Sequence, residues 1–145
     1  MDALDHRILD LLREDGRASY QDLGPRVGLS ASAVKRRVDR MTADGVIRGF
    51  TVVTDPEAVG HGTEAYVELF CRGIVAPQEL RRILTDIPEV IEATTVTGQA
   101  DALVTLRAAD TRHLELALEK VRSPSQVDST RSAIVLSRLI ERRAQ

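Results

Sequence analysis

Hydrophobic residues recur at helical spacing through the first part of the chain and alternate with polar residues through much of the remainder. The first helical stripe consists of Leu4, Ile8, Leu11 and Leu12. These positions share one face of a helix, which Asp2 can cap and Gly16 can end. The spacing therefore predicts an amphipathic helix at the start of the chain.

A second, shorter helix is predicted from about Tyr20 to Val27. Ser19 precedes it, and Asp22 follows Ser19 by three residues, which is a variant of the capping box. The pair Gly24-Pro25 lies inside this helix. Because proline lacks a backbone N–H, we expect the pair to weaken or shorten the helix.

A third helix is predicted from roughly Ser32 to Asp44, after a turn at Gly28. Its apolar stripe consists of Val34, Val38 and Met41. At about 100° per residue, Arg36 points almost directly away from that stripe. A helix, a turn and a second helix with a basic outer face are typical of a helix-turn-helix, whose second helix enters the DNA major groove.

Charge supports this interpretation locally. The chain has a formal net charge of −2, but residues 26–48 hold six basic side chains and two acidic ones. We therefore expect double-stranded DNA as a partner, because arginine binds guanine or phosphate with two hydrogen bonds. The predicted contact residues are Ser30, Ser32, Ala33, Lys35, Arg36, Arg37 and Arg40.

The second half of the chain predicts the order β-α-β-β-α-β. Residues 46–54 are expected to form a short β segment after the helix-turn-helix, and residues 54–62 to form a linker rich in Pro, Gly and Asp. The expected fold class is α+β: a (winged) helix-turn-helix domain at 1–53 and a ferredoxin-like βαββαβ domain at 63–145. One sheet face lies under two helices, and the other is expected to pair with a second copy.

Composition changes this picture little. Hydrophobic content of 43% and charged content of 29% indicate a globular protein, and no apolar run reaches the length of a membrane span. The N-terminus does not resemble a signal peptide, so a cytoplasmic location is expected. The single cysteine, Cys71, follows the alternation of a strand and is interpreted as a small buried apolar side chain, in preference to a catalytic thiol.

No cofactor, metal or catalytic residue is expected. The three histidines, His6, His61 and His113, show no metal-ligand spacing and are interpreted as surface or linker residues. An RNA-binding function of the ferredoxin-like half is disfavoured, because the third strand has no aromatic residue for base stacking.

The turn TGQAD, at 97–101, is a candidate ligand site. Gly98 opens the backbone and Asp101 offers a carboxylate at the start of a strand. Free amides and a carboxylate suit the two charged groups of an α-amino acid. The same residues also fit an ordinary hairpin turn.

Together the two halves resemble the Lrp/AsnC (feast/famine) family of prokaryotic transcription regulators. LDHRILDLLREDGRASYQDL, VGLSASAVKRRVDRM and ADGVIRGFTVVTDPEAVG are similar to its DNA-binding half and linker, and VTGQADALVTL and STRSAIVL to its ligand-binding half of RAM type. The resemblance implies homodimers built through the sheets, assembled into tetramers or octamers. It also implies an amino-acid effector bound between dimers, by Gly98, Gln99, Ala100, Asp101, Ser129, Thr130 and Ser132.

Two positions depart from the family pattern. Ala100 replaces an aromatic residue that often precedes the aspartate, and Gly24-Pro25 replaces an alanine within the second helix. Three alternatives to an effector-controlled regulator remain open on this architecture. They are an enzyme similar to the sirohaem decarboxylases, a DNA-architectural protein without a ligand, and a partner subunit that has lost DNA binding.

Overall fold

The computed structural model describes residues 1–140 of the chain. It divides into two compact units, of which the first includes Met1–Val53 and the second begins at Thr54. The helices of the first unit are α1 (Ala3–Glu14), α2 (Tyr20–Val27) and α3 (Ala31–Ala43). The second unit contains β1 (Thr63–Cys71), α4 (Pro77–Thr85), β2 (Val90–Thr95), β3 (Ala102–Ala108), α5 (Thr111–Arg122) and β4 (Val127–Ile134).

The three helices of the first unit begin at side-chain caps, as predicted for the first two. Asp2 and Asp5 form the capping box of α1, and Ser19 and Asp22 form that of α2. Ser30 caps α3. Each cap satisfies backbone N–H groups that have no partner within the helix, so these short helices begin at defined residues.

The apolar stripes of the three helices meet in one core. The predicted stripe of α3 is confirmed, because Val34, Val38 and Met41 are at most 2% exposed. The core consists of Ile8, Leu11, Leu23, Val34, Val38, Met41 and Ile47. This packing fixes α3 with its polar residues outward.

Gly24 lies at the close approach of α2 to the turn before α3. It is buried, and a Cβ at this position would lie 2.6 Å from the carbonyl oxygen of Leu29. The helix contains Pro25 and ends at Val27 after eight residues. The glycine that departs from the family pattern therefore has a steric reason in this chain.

The strand predicted after the helix-turn-helix is wrong. The described structure has no strand at residues 46–54, and so no β wing there. Val52 and Val53, two of the β-branched residues in this segment, are 82% and 70% exposed. A strand needs a neighbouring strand to complete its backbone hydrogen bonds, and no described strand pairs with this segment, whose Val46 and Ile47 N–H groups donate instead to the carbonyl of Met41.

The second unit confirms the predicted βαββαβ order. Its four strands form an antiparallel sheet in the order β2-β3-β1-β4. Alternate residues of the inner strands face α4 and α5, because side chains of a strand alternate between faces. The buried set on this face includes Ala65, Val67, Leu69, Ala102, Val104, Leu106, Leu80, Leu84, Leu114, Ala117 and Val121.

Among the described residues of the second unit, no helix packs on the opposite face of the sheet, as expected. Tyr66 of β1 and Leu103 of β3 lie there, 52% and 44% exposed. Arg131 of β4 places its guanidinium 5.2 Å from the ring centroid of Phe70 on this same face. We call this surface the bare sheet face.

None of the described helices is long and apolar enough to cross a membrane.

Gly24→Ala should destabilise the first unit by about 1–3 kcal/mol, because its methyl group would overlap the backbone of Leu29. Gly16→Ala is the matched control, since a Cβ there meets only Leu12 at an ordinary 3.6 Å. Thermal unfolding followed by circular dichroism measures both variants. Equal melting temperatures for the two would contradict the steric role of Gly24.

Candidate functional site

The predicted contact residues lie along α3, the second helix of the helix-turn-helix. Ser32, Lys35 and Arg36 are exposed, and Ala33 is partly buried. Ser30 uses its hydroxyl to accept the backbone N–H of Ala33 at 3.2 Å. It therefore holds the start of the helix as well as lying on its surface.

Arg37 and Arg40 are bound to α1. One terminal nitrogen of Arg37 donates to Asp2 and to Asp5, each at 2.7 Å, and Arg37 is 21% exposed. Arg40 donates to both carboxylate oxygens of Asp5, at 2.9 and 2.7 Å. The helical wheel placed both arginines on the outer surface but gave no sign of these ion pairs, because their acidic partners are more than thirty residues away in sequence.

Arg36 differs from its basic neighbours. Lys35 donates to Asp39 at 2.6 Å, which raises the pKa of Lys35. Arg26 of α2 pairs with Glu14 at 3.4 Å. Across residues 1–140, Arg36 has no ion pair, so its exposed guanidinium is the one on α3 that meets a ligand without first losing a partner.

The predicted effector turn is fastened to β1. The backbone N–H of Asp101 donates to the carbonyl of Leu69 at 2.9 Å, and the N–H of Cys71 donates to Asp101 Oδ2 at 2.7 Å. Gly98 has φ of +122°, which favours glycine. Gln99 is exposed, whereas Ala100 is 8% exposed and belongs to the interior. Asp101 is thus both exposed and held in place.

The predicted hydroxyl residues lie on β4, across β1 from the turn. Ser129 pairs with Phe70 and Thr130 with Leu69, so both lie at the end of the sheet that holds Asp101. Thr130 accepts a hydrogen bond from Arg122 at 2.8 Å. Ser132 pairs with Val67, farther along the strand. The structure brings Ser129 and Thr130 to the same end of the sheet as the turn but on opposite faces, since Phe70 lies on the bare sheet face and Leu69 under the helices. Ser132 lies farther along β4, on the same face as Thr130.

A groove beside the turn was not found from the sequence. It has a volume of about 590 Å³ and lies between α4 and β2, where Leu80, Arg81 and Thr95 line it together with Ala102, the neighbour of Asp101. Leu80 is 4% exposed and belongs to the core, so it forms the floor of the groove where α4 packs beside β2.

Cys71 is partly buried and packs against the core of the second unit. Burial, followed by the neighbouring Asp101 carboxylate, raises the pKa of its thiol. A raised pKa leaves less thiolate at neutral pH, so the arrangement does not favour a nucleophilic role.

His113 is more than a surface histidine. Its Nδ1 accepts the N–H of Ala109, and its Nε2 donates to Glu89 at 2.9 Å. Lys120 also donates to buried Glu89, at 2.8 Å, and this bond chiefly lowers the pKa of Glu89 to about 2. Within residues 1–140, no three His, Cys, Asp or Glu side chains come together as metal ligands would.

Comparisons with protein families match both halves. The AsnC-type helix-turn-helix domain matches residues 1–42, and the Lrp/AsnC ligand binding domain matches residues 64–145. Together these matches span most of the chain.

Individual relatives agree with the family matches. The chain is 53% identical over 142 residues to the HTH-type transcriptional regulator Rv2324 of Mycobacterium tuberculosis, covering 98% of this chain and 96% of the relative. Among solved structures, it resembles the feast or famine regulatory protein of M. tuberculosis complexed with L-methionine, with TM-score 0.90, 35% identity and coverage of 99% and 97%. It also resembles the Neisseria meningitidis regulator NMB0573 in an L-Met complex, with TM-score 0.88, 27% identity and coverage of 97% and 93%.

Proposed function

Because the chain belongs to the Lrp/AsnC family of transcriptional regulators, we propose that it is a sequence-specific DNA-binding regulator controlled by a small amino-acid effector. The observation that carries this proposal is the exposed Arg36, which has no ion pair within residues 1–140, on a capped second helix within a helix-turn-helix of AsnC type. The remaining contacts are expected from Ser30, Ser32, Ala33, Lys35, Arg37 and Arg40. A prokaryotic transcription regulator binds DNA in the cytoplasm, so we propose a cytoplasmic location.

We propose the division into a DNA-binding domain at 1–53, a linker at 54–62 and an effector-binding and oligomerisation domain at 63–145. The proposed minimal unit is a symmetric homodimer, assembled further into tetramers or octamers. The bare sheet face supports it, since an uncovered antiparallel sheet with exposed Tyr66 and Leu103 gains by packing against a copy of itself. Two helix-turn-helix units related by a two-fold axis would match a pseudo-palindromic site.

The proposed effector site combines Gly98, Gln99, Asp101, Ser129, Thr130 and Ser132 at a contact between dimers. Ala100 enters this set as a support for the turn, because its side chain is buried. The Asp101 carboxylate is suited to an ammonium group, and the two solved relatives with bound L-methionine make an amino acid the first ligand to test. A site shared by two dimers is complete only when they meet, so the effector would shift the assembly state. The proposal includes no catalytic step.

Arg36→Ala should weaken binding to a duplex selected by the wild type from a random pool by about 1–3 kcal/mol. Arg13→Ala is the control, because Arg13 carries the same charge on α1 and is 58% exposed. Fluorescence anisotropy measures both affinities. Loss of affinity in the two variants alike would show general charge attraction, and unchanged affinity in Arg36→Ala would refute the assigned face.

Tyr66→Glu should convert the full-length protein to smaller species, because a carboxylate would be desolvated between two bare sheet faces. Leu116→Glu is the control, since Leu116 is 51% exposed on α5, on the helix side of the sheet. Sedimentation velocity gives the masses. We expect an even number of subunits for the wild type and for Leu116→Glu, and a monomeric wild type would refute the interface.

Asp101→Asn should weaken L-methionine binding at least about tenfold, because a charge-assisted hydrogen bond contributes about 1.5–3 kcal/mol. The asparagine oxygen still accepts the N–H of Cys71, so the turn keeps its anchor. Asp86→Asn, exposed at the end of α4, is the charge-matched control. Calorimetry measures binding, and DNA affinity without ligand should change by no more than a few-fold.

Two results would contradict the effector site. If Asp101→Asn binds L-methionine as the wild type does, the ligand lies elsewhere. If a thermal-shift screen shows that the wild type binds none of the twenty amino acids, a DNA-architectural protein without a ligand becomes the better description.

A further inference from the structure

We propose that Asp5, in the first turn of α1, is a positioning and specificity-determining residue of the DNA-binding surface. Its buried carboxylate binds Arg37 and Arg40 of α3. It thereby weakens the electrostatic attraction of α3 to DNA irrespective of base sequence. This inference rests on the proposed DNA-binding function and adds a residue outside α3 to it.

The carboxylate of Asp5 is enclosed and fully bonded. Asp5 is 0% exposed, although it lies near the start of the chain. Its Oδ1 accepts from Arg37 and Arg40, and its Oδ2 accepts from Arg40 and from the backbone N–H of Asp2. These four bonds use the acceptor capacity of a carboxylate. Moving the arginines away would leave a buried carboxylate without a partner, which costs much free energy. The ion pairs therefore hold both arginines in place.

The two arginines are held to different degrees. Arg37 directs one terminal nitrogen to both Asp2 and Asp5, and only 21% of its side chain is exposed. Arg40 binds Asp5 through one terminal nitrogen and remains 53% exposed. Arg37 is therefore largely withdrawn from solvent, whereas Arg40 is anchored at one corner and still presents surface to a ligand.

These pairs change the charge that DNA meets. Three carboxylates, those of Asp2, Asp5 and Asp39, pair with basic side chains of α3. Since α3 carries four basic side chains, one positive charge remains in excess. Attraction to DNA of any sequence grows with the number of phosphates that cations neutralise. Phosphates must therefore compete with Asp2 and Asp5 for Arg37 and Arg40, whereas base contacts by Arg36 compete with no carboxylate of residues 1–140.

Specificity is the difference between two affinities, and weakening general attraction raises it. Asp5 also fixes the direction in which Arg40 leaves the helix, which lowers the ordering cost of a contact made in that direction. A purely structural role for Asp5 would change protein stability but would leave the dependence of DNA binding on salt and sequence unaltered.

The test compares full-length wild type with Asp5→Asn, Asp2→Asn and Asp10→Asn. Asp10 is the control because it lies on α1, is 61% exposed and, within residues 1–140, pairs only with Arg13, at 4.0 Å. All three variants add one unit of charge. The probes are a duplex selected by the wild type from a random pool and a scrambled duplex of the same composition, each titrated at several salt concentrations.

Asp5→Asn should bind the scrambled duplex about tenfold more tightly and should lose about tenfold in preference for the selected one. The plot of log affinity against log salt should steepen by up to about 2, since each freed arginine that reaches a phosphate adds about 0.9. Asp2→Asn should change the duplex preference and the salt slope in the same direction but by a smaller amount, because Arg37 keeps one of its two carboxylate partners. Asparagine also caps helices well, so α1 keeps its start.

The result that overturns the inference is a salt slope and preference for Asp5→Asn equal to those of Asp10→Asn, even if its melting temperature falls. If Asp5→Asn does not fold, Asp2→Asn decides in the same way. A wild type that shows no preference for any selected duplex would instead refute the proposed function itself. That outcome is visible before any variant is measured.

Discussion

The central strand β1 is the element on which the second unit depends. It lies between β3 and β4, so both edges of its backbone are hydrogen-bonded. Its odd-numbered residues from Ala65 to Leu69 are fully buried under the helices, and its even-numbered residues help form the bare sheet face. At its end, Leu69 and Cys71 hold the turn that presents Asp101. One alternating strand thus sets the core, the proposed dimer surface and the position of the proposed ligand site.

Charge compensation has a comparable role in the first unit. The positive excess that the sequence shows between residues 26 and 48 is largely balanced by acidic residues of α1 and of α3 itself. Paired and unpaired arginines have different uses. A paired arginine fixes two helices against each other, whereas Arg36 is available to a partner from outside. Arg37 and Arg40 thus shape the proposed DNA-binding surface, and Arg36 lies at its centre.

The 97–101 turn likewise depends on a contact between residues that are distant in sequence. The anchor that makes Asp101 useful is a backbone contact from β1, some thirty residues earlier in the chain. The groove beside it is lined by residues of α4 and β2, two elements that come from different parts of the sequence. Neither feature has a local sequence signal, although the order of strands and helices around them was predicted correctly. The short β segment predicted at 46–54 is absent for a related reason, because a strand also requires a neighbouring strand to pair with its backbone.

The sequence by itself determined the helix caps, the apolar stripes, the βαββαβ order and the family, because these follow from spacings of a few residues and from motifs read in order. It also placed the polar face of α3 outward. Only the tertiary structure decided which cations are already paired, why Gly24 must be a glycine, and that Ala100 is buried while Asp101 is fastened to β1. Those facts depend on contacts between residues distant in sequence, which periodicity cannot report.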